Sequence, residues 1–163
     1  MKLFLLRHGA AGQRNMRKYP NDAARPLTGE GKRETLRTAR TLHRQKFEFD
    51  EIISSPLARA RQTAEIVAKV YKKEVKFTPF LGPGVKLRDL IHYLARTCAK
   101  ASSVMLVGHE PDMSTMISVL ISGHEDANIR LKKGGLCKLD VESLRFGKCA
   151  ELDWLLTPRQ INT

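Results

Sequence analysis

Cysteine is scarce in this chain. Cys98, Cys137 and Cys149 are odd in number and show no CxxC spacing. That excludes a disulfide-built scaffold and a cysteine zinc site, and it points to reduced thiols in a cytoplasmic protein. Aromatic residues make up only 6% of the sequence and do not interleave with the basic runs, so nucleic acid is not the expected partner. No apolar run is long enough to span a bilayer, and no membrane partner is expected. The opening run from Met1 stops at Arg7, short of a signal-peptide core, with no small-residue cleavage site after it. No repeat, low-complexity tract or Pro/Ser/Gly-rich linker divides the 163 residues, so residues 1–163 are expected to form a single domain. Acidic residues are the minority sign, 17 against 29 basic, for a net charge of +12. Such a field draws polyanions: phosphorylated proteins, acidic protein faces or polyphosphate.

What the chain does contain is one pattern used three times. Leu3-Phe4-Leu5-Leu6 is a short apolar run that ends in Arg7-His8-Gly9, the signature of a buried parallel strand. In open α/β sheets, ligands bind outside the carboxyl ends of the strands, so this strand delivers Arg7 and His8 to the chemical edge. Glu51-Ile52-Ile53 ends likewise at Ser54-Ser55-Pro56, and Val104-Met105-Leu106-Val107 ends at Gly108-His109-Glu110-Pro111.

Between these runs, Ala10 to Pro26 reads as a long polar loop carrying Gln13, Arg14, Arg17 and Lys18. Thr28 has the chemistry of an N-cap for a helix over Gly29–Gln45. Ser55 as N-cap and Pro56 as first helical residue predict a helix running to about Tyr71, with Arg59 in its electropositive first turn. Val75–Phe77 suits an edge strand. Two further helices carry Leu87 to Ala95 and Met113 to Ile121 at helical spacing, with the methionines as core. Leu136–Val141 and Lys148–Leu156 alternate as an antiparallel pair, placing Ala150, Leu152, Trp154 and Leu156 on one side. The fold class is α/β: a three-layer α/β/α sandwich with a mixed, mostly parallel sheet.

If the three strand ends meet, two guanidiniums and two imidazoles surround one spot. Arginine offers paired planar donors that match phosphate oxygens, and a neutral imidazole among them is a competent nucleophile. At this point the motifs carry a family likeness. Leu6-Arg7-His8-Gly9, Ser54 to Ala64 and Val107-Gly108-His109-Glu110-Pro111 resemble the histidine phosphatase superfamily, which has a phosphoglycerate-mutase-like fold. The short chain, Leu27-Thr28-Gly29-Glu30-Gly31 and the closing Trp154-Leu155-Leu156-Thr157-Pro158 resemble its SixA-type phosphohistidine phosphatases most.

The resemblance implies His8 as the phosphorylated nucleophile, Arg7 and Arg59 as a phosphate clamp, and His109 as a second histidine donating to the phosphoryl group. It implies no metal or cofactor. Gln13 and Arg14 are candidate substrate-binding residues reaching from the loop. The expected partner is a phosphorylated protein, such as a histidine-containing phosphotransfer domain, and the expected product is phosphate ion. A small phosphomonoester, polyphosphate, or a non-catalytic phosphate-binding role are the alternatives.

One departure stands out. Larger members carry an acid between the second and third motifs to protonate the leaving group, yet Val75 to Val85 holds no carboxylate and Asp89 is only the nearest one downstream. General-acid help is worth roughly 10²–10⁴-fold, and its loss harms an alkoxide leaving group more than an imidazole. That favours a P–N bond as substrate. Ser55 reads only as a cap, Glu110 as a neighbour of a helix N-terminus, Arg61 as a surface cation, and His43, His92 and His124 as packing or solvent-facing residues.

Overall fold

Neighbouring residues along the central strands point to opposite faces of one sheet, and each face is closed by its own helices. The computed structural model describes residues 1–15 and 17–163. Its strands are β1 (Lys2–Arg7), β2 (Glu51–Ser54), β3 (Val75–Phe77), β4 (Ser103–Gly108), β5 (Leu136–Val141) and β6 (Ala150–Leu156). They lie in the order β3-β2-β4-β1-β5-β6. β3, β2, β4 and β1 are parallel, whereas β5 runs antiparallel to β1, and β6 antiparallel to β5.

The helices are α1 (Gly29–Arg44), α2 (Ala58–Tyr71), α3 (Leu87–Thr97), α4 (Asp112–Ser122) and the short α5 (Pro158–Ile161). Leu3, Leu5, Val104 and Leu106 pack with Leu90, Ile91 and Leu94 of α3 and Met113, Met116 and Ile117 of α4. Phe4, Leu6, Met105 and Val107 pack with Leu42 of α1, Ala60, Ala64 and Val67 of α2, and Ile161 of α5. The expected α/β/α sandwich is the observed one. Alternation along a strand feeds both cores because both faces are covered. The methionines of α4 are core, as expected, and no helix among the described residues is long and apolar enough to cross a membrane. The three cysteines are buried and free.

Two expectations need correction. The second helix begins at Ala58, with Leu57 as N-cap and no side-chain cap, not at Pro56. Ser55 stays extended because its amide continues the sheet pairing to Val107 O (3.0 Å), and a residue before proline is disfavoured in helical geometry. On β6, the single side predicted for Ala150, Leu152, Trp154 and Leu156 does not exist. The register slips opposite Lys138/Leu139, so that Leu139 faces Leu152 while Lys138 faces Trp154. Asp153 is thus an extra residue, and a bulge of this kind reverses the faces beyond it. Ala150 joins the α3–α4 core, and Trp154 and Leu156 join the α1–α2 side.

Close approach at the chemical edge rests on glycine. A Cβ on Gly9 would stand 2.7 Å from Thr35 Oγ1, so the turn after β1 lies against α1 only because Gly9 has no side chain.

Candidate active site

The parallel register brings the strand ends level. Arg7 pairs with Gly108 across β1 and β4, the His8 amide donates to Gly108 O (3.1 Å), and the Ser55 amide to Val107 O (3.0 Å). Arg7-His8, Ser54-Ser55 and Gly108-His109 therefore meet at one edge. The His8 and His109 rings lie 5.2 Å apart, centroid to centroid, at 55°. Both residues are buried.

Hydrogen bonding fixes what His8 offers and gives His109 a hydroxyl partner. Nδ1 of His8 lies 2.8 Å from the Gly9 carbonyl. A carbonyl oxygen only accepts, so Nδ1 carries the hydrogen, and in the neutral ring Nε2 keeps its lone pair. Burial, the main cause, pushes the His8 pKa down to about 4, aided by the charges of Arg59, Arg7 and Arg25 and opposed by the Gly9 bond. His109 is the mirror case. Its Nε2 lies 2.8 Å from Ser55 Oγ, and Ser55 Oγ already accepts from the Leu57 amide (3.3 Å). The hydroxyl can donate or accept; when it donates to Nε2, the ring hydrogen lies on Nδ1. Burial, helped by Arg59 and His8, pushes the His109 pKa down to about 3. Both rings are neutral at pH 7.

The guanidiniums complete the cluster. Arg59 enters from the first turn of α2 and is buried. Its Nη1 donates to Asp22 O (3.0 Å) and lies 3.2 Å from Asp22 Oδ2. Arg7 is half-buried and donates through Nη1 to Leu131 O (2.9 Å). Burial lowers both pKa values from the usual value, opposed by Glu110 at Arg7 and by Asp22 at Arg59, but arginine starts high enough that both stay charged. Arg7 Nε, Arg59 Nε and His109 Nδ1 are buried without a hydrogen-bond partner among the described residues. Buried polar nitrogens are ordinarily paired. Three orphans at one edge, two of them cationic, describe a receptor for a tetrahedral oxyanion.

α2 holds the arrangement together on one face. Arg59, Gln62 and Thr63 share it, as residues three and four apart on a helix do. Thr63 Oγ1 accepts from the Gly9 amide (3.1 Å) and donates to Arg59 O (2.7 Å), while Gln62 Oε1 accepts from the Leu27 amide (2.9 Å). The loop is tied to the same helix through Asp22, whose carboxylate also takes Arg25 Nε at 2.9 Å. That hydrogen bond is the main reason its pKa falls below the usual carboxylate range. Arg14 is exposed on this loop, close enough for its charge to reach Asp22 and Arg59. Gln13 is exposed and makes no hydrogen bond to the cluster among the described residues.

Ser55, Asp22, Arg25 and Thr63 are the site residues that sequence reasoning missed or misassigned. Ser55 is a partner of His109 rather than a cap. Asp22 had a signal, being the lone acid between Ala10 and Pro26 among the four cations Arg14, Arg17, Lys18 and Arg25. Glu110 accepts from the Ser114 amide at 3.2 Å, the helix-start role expected of it. His43, His92 and His124 are exposed, away from the cluster.

Residues 3–82 match the histidine phosphatase superfamily (branch 1). The chain is 35% identical over 141 residues to an uncharacterized protein of Picosynechococcus sp., covering 85% of this chain and 84% of that one. It is 31% identical over 126 residues to the phosphohistidine phosphatase SixA of Escherichia coli K12, covering 76% of each. Among solved structures it resembles the protein histidine phosphatase SixA complexed with tungstate, with a TM-score of 0.84 and 25% identity over 98% of each chain.

Proposed function

The chain belongs to the histidine phosphatase superfamily, and from that premise we propose that it removes phosphate from phosphohistidine on a protein partner. His8 Nε2 attacks phosphorus. The P–N bond to the substrate ring breaks with its electron pair going to the ring nitrogen, and a phosphoryl group remains on His8. Water then attacks that phosphorus, the P–Nε2 pair returns to His8, and orthophosphate leaves. Arg7 and Arg59 hold the equatorial oxygens through their unpaired nitrogens, and His109 Nδ1 donates to an oxygen that gains charge in the transition state. No step requires a metal.

The observation that carries this reading is the lone pair on His8 Nε2, with its ring 5.2 Å from that of the buried His109, whose Nδ1 has no partner among the described residues. A phosphotransfer domain bearing phosphohistidine in a reducing compartment suits the +12 surface, which would speed the encounter with an acidic partner. The test is phosphate release from a phosphohistidine protein by the wild type and His8→Ala. Release by the wild type alone is expected, and equal release by both removes His8 as nucleophile.

A further inference from the structure

Beside His109, on the α3–α4 side of the sheet, lies a cavity of about 250 Å³. Phe80, Met113 and Met116 give it apolar walls, His109 and Asp112 also line it, and Glu125 contributes from the loop after α4. Asp112 is the first residue of α4, half-buried. It accepts from the Gly84 amide at 3.4 Å, and nothing in the reaction above uses it. Burial raises its pKa from the usual carboxylate value, against the Gly84 bond. The wall contributed by residues 80–90 brings no charge. Asp89 instead is exposed in a separate groove with His92, Tyr93 and Arg96.

His109 belongs to both places. Its unpartnered Nδ1 serves the phosphoryl site, and its ring bounds the cavity. A phosphorus held between His8 and His109 therefore has this space next to it for the group that departs. The space is small, mostly apolar and lined by two carboxyls, Asp112 and Glu125. A sugar would leave several hydroxyls unpaired there, which is costly; a flat ring with a single N–H is not penalised.

We infer that this cavity is the leaving-group site and takes the imidazole of the substrate histidine, with Asp112 accepting the N–H of the ring nitrogen not bonded to phosphorus. The inference rests on the phosphohistidine reading and deepens it. The bookkeeping of protons is simple. The substrate ring is protonated on its distal nitrogen. As the P–N bond breaks, the pair goes to the departing nitrogen, the distal N–H stays where it is, and imidazole leaves neutral. Asp112 moves no proton. It holds the ring in the form that departs easily, and a nearby carboxylate favours that protonated form. The titratable groups that line the cavity with it are His109 from the β4–α4 turn and Glu125; Phe80, Leu81, Val85, Leu87 and Leu90 add none.

The test uses 4-methylimidazole as probe, titrated into methyl-labelled-methionine protein in the presence of orthophosphate. The Met113 and Met116 methyl signals should shift, and Asp112→Asn should weaken binding at least about ten-fold, the loss expected for one charge-assisted hydrogen bond, with Asp112→Glu recovering part of it. In turnover, the phosphohistidine-to-aryl-phosphate ratio of kcat/KM should fall by a similar factor in Asp112→Asn. Unmoved methionine signals, equal ring affinity in Asp112→Asn, or equal losses on both substrates overturn the inference. If phosphohistidine is hydrolysed while the methyls stay silent, the cavity assignment fails and the activity stands. If the ring binds through Asp112 but no phosphohistidine is hydrolysed, the activity fails and the ring site stands.

Discussion

The turn after β1 and the turn after β4 are near copies in construction. Each ends a parallel strand, each presents a buried histidine, and the two strands are hydrogen-bonded neighbours. They differ in one hydrogen bond. His8 is held through Nδ1 by a backbone carbonyl, and His109 through Nε2 by the Ser55 hydroxyl. The carbonyl leaves His8 a lone pair on Nε2, and a hydroxyl that donates leaves His109 an N–H on Nδ1; in the proposed reaction these become the nucleophile's and the donor's part. Burial alone would have made them equivalent.

The comparison breaks most severely if the lone pair is removed. His8→Ala should lower phosphate release by at least about 10⁴-fold, the scale for loss of a nucleophile, measured as orthophosphate from a phosphohistidine protein. His109→Ala should cost about 10²–10³-fold, the scale for one oxyanion donor, with single-turnover kinetics showing slowed phosphoryl transfer. Ser55→Ala leaves His109 free to take either tautomer and should cost about ten-fold, with recovery in Ser55→Thr; an unchanged rate would mean that Ser55 does not set the tautomer.

Acid should act on both turns together. The folded pKa values of about 4 and about 3 lie below the usual 6.5 for histidine, so the unfolded chain binds more protons between pH 6.5 and 4. The stability these rings contribute is therefore complete above pH 6.5 and falls with pH, by on the order of 3 kcal/mol for His8. Denaturant midpoints across that range should show the slope, and His8→Ala should flatten it. For a substrate whose own ionisation is constant, the acid limb of kcat/KM should lie near pH 4 rather than 6.5. The smallest effect belongs to Arg14→Ala. Only its charge reaches Arg59 from an exposed position, so KM should rise no more than about three-fold, less so in high salt.

The sheet and the gathering of four residues at the candidate site were legible in the sequence because an apolar run that stops at a charged residue is a strong local pattern. Arg7, His8 and His109 each follow such a run, and Arg59 follows from a helix start. What the sequence hid depends on contacts between distant residues. Ser55 before proline satisfies every local rule for a cap, and only the neighbouring strand shows that its hydroxyl serves His109 instead. Asp22 acts on Arg59 partly through its carbonyl, which no residue type encodes. Asp112, three positions past His109, reads as an ordinary acidic helix start until Phe80 and the methionines close around it. The bulge at Asp153 adds one residue to a seven-residue strand, too small an irregularity for alternation to reveal.

β1 has a further consequence. It is flanked by β4 and β5 along nearly its whole length and its four apolar residues are sealed from solvent. Such a strand opens only when the entire domain does. The nitrogen proposed to attack is seated one residue beyond the most durable part of the molecule, so thermal inactivation should track global melting, and amide exchange at Leu5 and Leu6 should be among the slowest in the chain.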